Sequence, residues 1–367
     1  MHTRATPLLQ GSIGTARELT SFHFGPQGTQ KVYIQAALHA DEIPAMLVAL
    51  HLKRRLLELE HRGAVLAEIV LVPVANPIGL SQSVLGQFVG RFNLATGENF
   101  NRDFPAFTSD VASELGGHAA DNKKIINAAL AKAIANQTPL TEFDALRKHL
   151  LALSFDAELV IDLHCSLEAV MHVYASAAHW PAVEPLARHL GAEVSLLATD
   201  SGGNSFDETH SLFWWNLRQS LGDDFPLPDG CVSVTVECRG QRDVSDELAR
   251  RDADAIIEFL KGRGAIAGGA AELPPLLAEP TPLAGSEQFY APCSGILVHR
   301  VAIGAAIRSG DPVFDIVDPL TDRTTTIHSK TDGILYMRRA IRFVQCGNPL
   351  GRVSGKVPIR TGKLVGL

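Results

Sequence analysis

The sequence predicts an α/β fold, a sheet covered by helices on both faces, followed by a smaller all-β unit. Three observations carry this. Strand-like and helix-like runs alternate between residues 31 and 262; two of the strand runs are almost continuously apolar; and beyond residue 264 the chain turns rich in glycine and proline and poor in helical periodicity. Continuous apolar strands belong in sheets covered on both faces, the layer arrangement of α/β proteins. At 367 residues the chain is also long for a single core, which favours one large domain plus a smaller one.

Taken in order, KVYIQAAL (31–38) is a β-branched apolar strand leading directly into PAMLVALHLKRRLLELE (44–60). In that second run Leu47, Ala49, Leu50 and Leu57 recur at helical spacing while Lys53, Arg54, Arg55 and Glu58 stay polar. Pro44 suits a first helical turn, where its missing N–H would have no partner anyway. AEIVLVPVANP (67–77) is the next strand, stopped by Asn76-Pro77, and KKIINAALAKAIANQ (123–137) is a helix by propensity. AELVIDLHCS (157–166) and CVSVTVECRG (231–240) are the two buried strands. DELARRDADAIIEFLKGRG (246–264) closes the first unit as an amphipathic helix ending in glycine. The segment 201–215, SGGNSFDETHSLFWW, has a Gly/Ser-rich start suited to a mobile loop and concentrates Phe206, Phe213, Trp214 and Trp215. It reads equally as a pocket wall or as core packing of a helix, with His210 a possible extra polar group.

These signals divide the chain into a catalytic-type unit (1–264), a Gly/Ala/Pro-rich linker (265–285) and a C-terminal β-unit (286–367). The last contains a repeat: SGILVHR (294–300) precedes SGDPVFDIV (309–317), as DGILYMR (332–338) precedes CGNPLGRVS (346–354). The Gly-to-Gly spacing is 15 residues in the first copy (295 to 310) and 14 in the second (333 to 347). Two such units resemble the halves of a barrel-sandwich domain of the biotinyl and lipoyl carriers. The turn that would carry a prosthetic group reads IVDPLTDRT (316–324), without the Met-Lys-Met hairpin, so a covering or assembly role is expected.

Composition excludes several functions. The chain is 46% hydrophobic and 20% charged with net charge −7 and no dense basic run, which argues against disorder and against nucleic acid or an anionic membrane as partner. The first 14 residues lack the apolar core of a signal peptide, and no run of about 20 apolar residues spans a bilayer. Five cysteines without CxxC spacing read as reduced thiols of a cytoplasmic protein. Oligomeric state stays open, a homo-oligomer included.

The chemistry is concentrated in four pieces: LHADEIPA (38–45), ENFNRDFP (98–105), VIDLHCS (160–166) and VTVECRG (234–240). Hydrolysis at zinc needs about three protein ligands and an open position for water. His39 and Glu42 form the sole H-x-x-E of the sequence, at a strand-to-helix junction, and His164 ends a strand as a candidate third ligand. Asp162 shares a strand face with His164 and could support it. Sites of open α/β sheets lie at such strand ends. Glu237, inside an apolar strand, must be paired or functional because an unpaired buried charge costs several kcal/mol. It is either a salt-bridge partner of Arg239 or a general base with a raised pKa. Asn101-Arg102 offers a guanidinium fork and an amide donor to a carboxylate, or is simply a solvated surface loop.

HADE, NFNRDFP, IDLH and TVE, in this order, resemble the succinylglutamate desuccinylase/aspartoacylase family, relatives of the zinc carboxypeptidases. The resemblance covers about residues 30–262, and a C-terminal β-unit is a common companion there. It implies a zinc carboxypeptidase-like mixed sheet, one Zn2+ per chain held by His39, Glu42 and His164, and Glu237 as proton shuttle. Asn101 and Arg102 would hold the carboxylate of a small N-acylated substrate. The family's carbonyl-polarising arginine stands about seven residues before the Asn-Arg pair, where this chain has Leu94; Arg91 is the nearest candidate. Of Tyr33, Tyr174, Tyr290 and Tyr336, Tyr290 at the entry to the β-unit is the candidate for the family's active-site tyrosine. The implied activity is removal of an acyl group from an N-acyl amino acid or related molecule, with an ester possible. A peptide carboxypeptidase would use the same site chemistry. A non-catalytic binding protein would lack a ligand or the base, and neither is missing.

Overall fold

The apolar run around residue 160 sits at the centre of the molecule because it can bury both faces. In the computed structural model, which describes residues 1–107, 111–222, 224–269 and 271–365, all eight residues of that strand are buried. The strands of the first unit are β1 (His2–Pro7), β2 (Glu18–Phe24), β3 (Lys31–Ala36), β4 (Glu68–Val72), β5 (Leu159–Ser166), β6 (Met171–Ala175), β7 (Val194–Leu197), β8 (Val232–Gly240) and β9 (Thr281–Pro282). They form one nine-stranded sheet in the order β1-β2-β4-β3-β5-β8-β6-β7-β9. The block β4-β3-β5-β8 is parallel, β1 and β2 form an antiparallel edge, and β6 runs antiparallel to β8. The sheet is therefore mixed, as the family resemblance implies.

Among the described residues the longer helices that cover it are α1 (Ile43–His61), α2 (Ala119–Asn136), α3 (Glu142–Ser154), α4 (Trp180–Leu190), α5 (Phe206–Leu221) and α6 (Asp246–Gly262). Alternation along the strands sends Ile34, Ile161 and Val234 to one face, where Leu52, Leu186 and Ile256 of α1, α4 and α6 pack. Tyr33 and Val160 point the other way, toward Ile126, Leu146 and Phe206 of α2, α3 and α5. On this second face the strands turn polar near their C-terminal ends, as Val160 gives way to Asp162 and His164.

The C-terminal unit comprises β10 (Glu287–Tyr290), β11 (Gly295–His299), β12 (Ala306–Ile307), β13 (Pro312–Asp318), β14 (Arg323–His328), β15 (Gly333–Arg338), β16 (Phe343–Val344) and β17 (Pro349–Val353). Two sheets, β10-β17-β15-β12 and β14-β13-β11-β16, enclose a core of their own. The repeat has a structural counterpart: β11 pairs with β13, and β15 with β17, each antiparallel. The linker region carries more structure than its composition suggests. Ala265 and Ile266 are buried, and Thr281–Pro282 adds β9 to the large sheet. In return residues 168–169 of the first unit pair with β15. Among the described residues no helix is long and apolar enough to cross a membrane.

Candidate active site

Three strand ends and one loop build the site. Chain reversal after β3 places His39 and, at the N-cap of α1, Glu42 beside the end of β5. The ligating atoms of His39, Glu42 and His164 lie within 4.8 Å of one another, and all three residues are buried. Glu42 is the hub: its carboxylate lies 3.0 Å from His39 Nδ1 and 2.8 Å from His164 Nδ1, and accepts the Cys165 N–H at 3.0 Å. The opposite ring nitrogens are held from behind. His39 Nε2 meets Asn99 Oδ1 at 2.8 Å, and His164 Nε2 lies 2.9 Å from Asp162 Oδ2. Asp162 is anchored in turn by Gln35 Nε2 (3.0 Å), and Gln35 by the Tyr33 hydroxyl (2.9 Å). Two imidazoles oriented through their far nitrogens, with a buried carboxylate between the near ones, fit a divalent cation of the zinc type.

The charges agree with this geometry. Burial alone would raise the Glu42 carboxyl, but His39 and His164 outweigh it and hold it well below the usual range. Burial would lower His164, yet Asp162 and Glu42 lift it well above an ordinary histidine. His39 is pushed down to about 4, by burial first and then by the Arg91 charge.

Glu237 pairs in register with His164 across β8 and β5. It is not the partner of Arg239, which pairs instead with Asp252 of α6; Glu237 accepts the Ser166 hydroxyl at 3.3 Å. Burial, and then the Glu42 charge, push its carboxyl up to about 7. Two residues on, the chain takes a positive φ at Arg239 (67°), and the β5–β8 register shifts between Glu237 and Gly240. Arg91 reaches the cluster through a close backbone approach. A Cβ at Gly90 would stand 2.2 Å from Asp41 N, so only glycine lets residues 90–91 lie against 40–41. Arg91 Nη2 then donates to Glu42 Oε1 at 2.7 Å, whereas Leu94 is exposed.

Asn101 is pinned between His164, 3.3 Å from its Nε2, and the Phe206 N–H, which donates to Asn101 Oδ1 at 2.8 Å. Arg102 follows, half-buried, with Asp207 and Glu208 of α5 supplying opposing charge. Both line a cavity of about 730 Å³ together with His39, Arg91, His164 and Glu237. Tyr290, 55% exposed, stands on the same wall. In segment 201–215 the core reading holds for Phe206, Phe213 and Trp214 but not for Trp215, which is 40% exposed, while Ser201, Ser205, Asp207, Glu208 and Ser211 face the cavity. His210 is a core residue, bonded to Ser154 Oγ at 2.8 Å and to the Phe206 carbonyl at 2.8 Å. Sequence reasoning missed Asn99, although it lies inside a motif already singled out. It also missed Asp207 and Arg352, which line the cavity but carry no local signal, and it chose Tyr290 where Tyr174 lines the cavity as well.

The succinylglutamate desuccinylase/aspartoacylase catalytic-domain profile matches residues 28–263. No curated protein matches the chain. Among solved structures, a succinylglutamate desuccinylase/aspartoacylase family protein of Shewanella amazonensis is 25% identical, with a TM-score of 0.87 over 97% of this chain and 99% of that one. One described in the same terms from Shewanella frigidimarina is 23% identical, with a TM-score of 0.84 over 96% and 97%. The ectoine utilization protein EutE (DoeB) of Ruegeria pomeroyi, solved with product bound, shares the fold at 16% identity and a TM-score of 0.66 over 96% and 95%. The matched profile takes in all four motifs and every strand that positions the cluster, and the chain belongs to the succinylglutamate desuccinylase/aspartoacylase family of hydrolytic deacylases.

Proposed function

We propose that this protein is a zinc-dependent deacylase that hydrolyses the amide of a small N-acyl amino acid. The observation that carries the reading is the His39–Glu42–His164 cluster beside a carboxyl, Glu237, whose pKa is pushed up to about 7, on one cavity wall. One Zn2+ per chain, held by His39, Glu42 and His164, would supply Lewis acidity toward water and the scissile carbonyl. Glu237 is the base: it takes a proton from the attacking water and returns it to the amine nitrogen as the C–N bond breaks, releasing acid and amine. Arg102 grips the substrate carboxylate through its fork and so aligns the amide, with Asn101 fixing the loop that presents it. Arg91 faces the developing oxyanion, and Tyr290 at the rim contacts the bound substrate.

The cavity volume of about 730 Å³ lies within the range of small-molecule sites. Tyr290, Met337 and Pro349 of the C-terminal unit wall it, which favours small acylated amino acids over the peptides a carboxypeptidase would admit. The five free thiols support a reducing, cytoplasmic setting.

The test joins metal analysis to a screen of N-acetyl, N-succinyl and N-formyl amino acids. About one zinc per wild-type chain is expected, with metal lost from His39→Ala and His164→Ala. Replacing the substrate carboxylate by a neutral amide should cost the wild type about tenfold or more in kcat/KM, and Arg102→Ala much less. Full metal retention in both histidine variants, or equal treatment of acid and amide by both enzymes, would overturn the assignment.

A further inference from the structure

The first turn of α5 sets two carboxylates side by side, Asp207 and Glu208, each 8% exposed and both on the cavity wall. Acidic residues in a first helical turn complement the helix dipole, which accounts for their sign. It does not account for their burial, because α6 meets the same need with Asp246 and Glu247, both exposed. Nor is the pair neutralised where it stands. Glu208 Oε1 accepts the Ser201 N–H at 2.7 Å, while its buried Oε2 has no hydrogen-bond partner and no bond to give up when a donor arrives. Asp207 is held by hydroxyls, that of Ser205 at 2.6 Å and that of Thr235. Among the described residues no cation stands within ion-pair distance of either carboxylate. The Arg102 charge acts on both from beyond that distance, but one guanidinium against two carboxylates leaves a negative excess. Burial, and then the Asp207 charge, push the Glu208 carboxyl up to about 7, a strain that an arriving cation relieves. Buried carboxylates without a counter-charge, on the wall of an open cavity, suit a ligand that brings the counter-charge with it.

Position identifies which part of a substrate meets this wall. Thr235, bonded to Asp207, precedes Glu237 by two residues on β8, so both side chains leave one face of the strand roughly 7 Å apart. Both carboxylates also act on Arg102, the residue that the deacylase reading gives to the carboxylate of the amino acid. We propose that Asp207 and Glu208 are specificity-determining residues that bind a cationic side chain, an ammonium or a guanidinium, on the amino acid released from the amide. The preferred substrates are then N-acyl derivatives of basic amino acids. The inference rests on the deacylase reading for where the amino acid lies, but binding alone tests it.

The experiment measures calorimetric binding to the zinc-loaded protein of L-lysine against L-norleucine, and of L-ornithine against L-norvaline. The members of each pair share a carbon skeleton and differ by the terminal ammonium. In the better pair the cationic member should bind at least about tenfold tighter, the usual scale of a charge-assisted contact. In Glu208→Gln and in Asp207→Asn, which keep shape and remove charge, that preference should fall to about threefold or less. Should Asp207→Asn fail to fold by circular dichroism, Glu208→Gln carries the comparison. Equal or weaker binding of the cationic members by the wild type, or an undiminished preference in a folded variant, would overturn the assignment. Turnover of N-acetyl-lysine and N-acetyl-norleucine separates the two readings. A preference for the cation without turnover of any N-acyl amino acid would keep the Asp207–Glu208 site and remove the deacylase reading; turnover without the preference would do the reverse.

Discussion

Glu237 shows how one side chain acquires chemistry from its surroundings. Its carboxyl is half-buried at the end of β8, close to the negative Glu42, so the neutral form is favoured up to about pH 7. A base in that range suits proton transfer near neutrality. Glu237→Gln should retain metal and fold yet lose about 10²–10⁴ in kcat; unchanged turnover would remove Glu237 from the reaction. The environment also predicts a linked titration. In metal-stripped protein, carbon-detected NMR of labelled glutamate should find Glu237 titrating near 7. A dication beside it disfavours the protonated form, so adding zinc should move that midpoint downward. A midpoint that stays put on metal binding would separate Glu237 from the metal site.

Between residue and fold stands the device that aims Glu237. β8 ends in a register shift, with Arg239 at a φ of 67° and its side chain drawn to Asp252 of α6. A non-glycine residue held in the left-handed region costs of order 1–3 kcal/mol and persists only where its surroundings enforce it. The Arg239–Asp252 pair, with Asp252 buried, is that enforcement. Removing one partner strands a buried charge, so Asp252→Ala should destabilise by about 3–5 kcal/mol in urea unfolding, and kcat should fall with it. Adding Arg239→Ala should cost far less than a second increment, because the stranded charge goes with it. Additive losses would show that the two residues act separately. Ala37, just before His39, and Asp103, just after Arg102, share the same conformation (φ 59° and 56°). Three of the four site segments thus turn through backbone that their residue types ordinarily avoid.

At the scale of the whole molecule, the two units are built as one. Residues 168–169 extend the C-terminal sheet, β9 extends the large one, and Tyr336 of β15 is buried with Val170, Leu196 and Leu283. Arg338 adds an ion pair to Glu168 at 2.8 Å. Calorimetry should therefore show a single unfolding transition, and Tyr336→Ala, which empties the shared cluster, should destabilise by about 3–5 kcal/mol, the usual cost of truncating a buried aromatic. Two resolved transitions would mean that the units are only tethered.

What the sequence determined by itself follows from periodicity and from motifs with fixed internal spacing. The buried strands β5 and β8, the amphipathic helices α1 and α6 and the repeat in the tail were all legible, because each is a local pattern of apolar residues or of Gly-Pro punctuation. The same holds for grouping His39, Glu42, His164 and Glu237, which sit at the ends of those strands. The edge strands β1 and β2 were not legible, being mostly polar and exposed or short of alternation. Nor were the partners that complete the site. Whether Glu237 meets Arg239 or Ser166, whether Arg91 reaches Glu42, and that Arg352 enters the cavity from more than a hundred residues beyond β8 depend on which strand ends the sheet order brings together. That order is set by burying two faces of one sheet and two sheets of the tail at once, a condition on the whole chain that no local run of residues records.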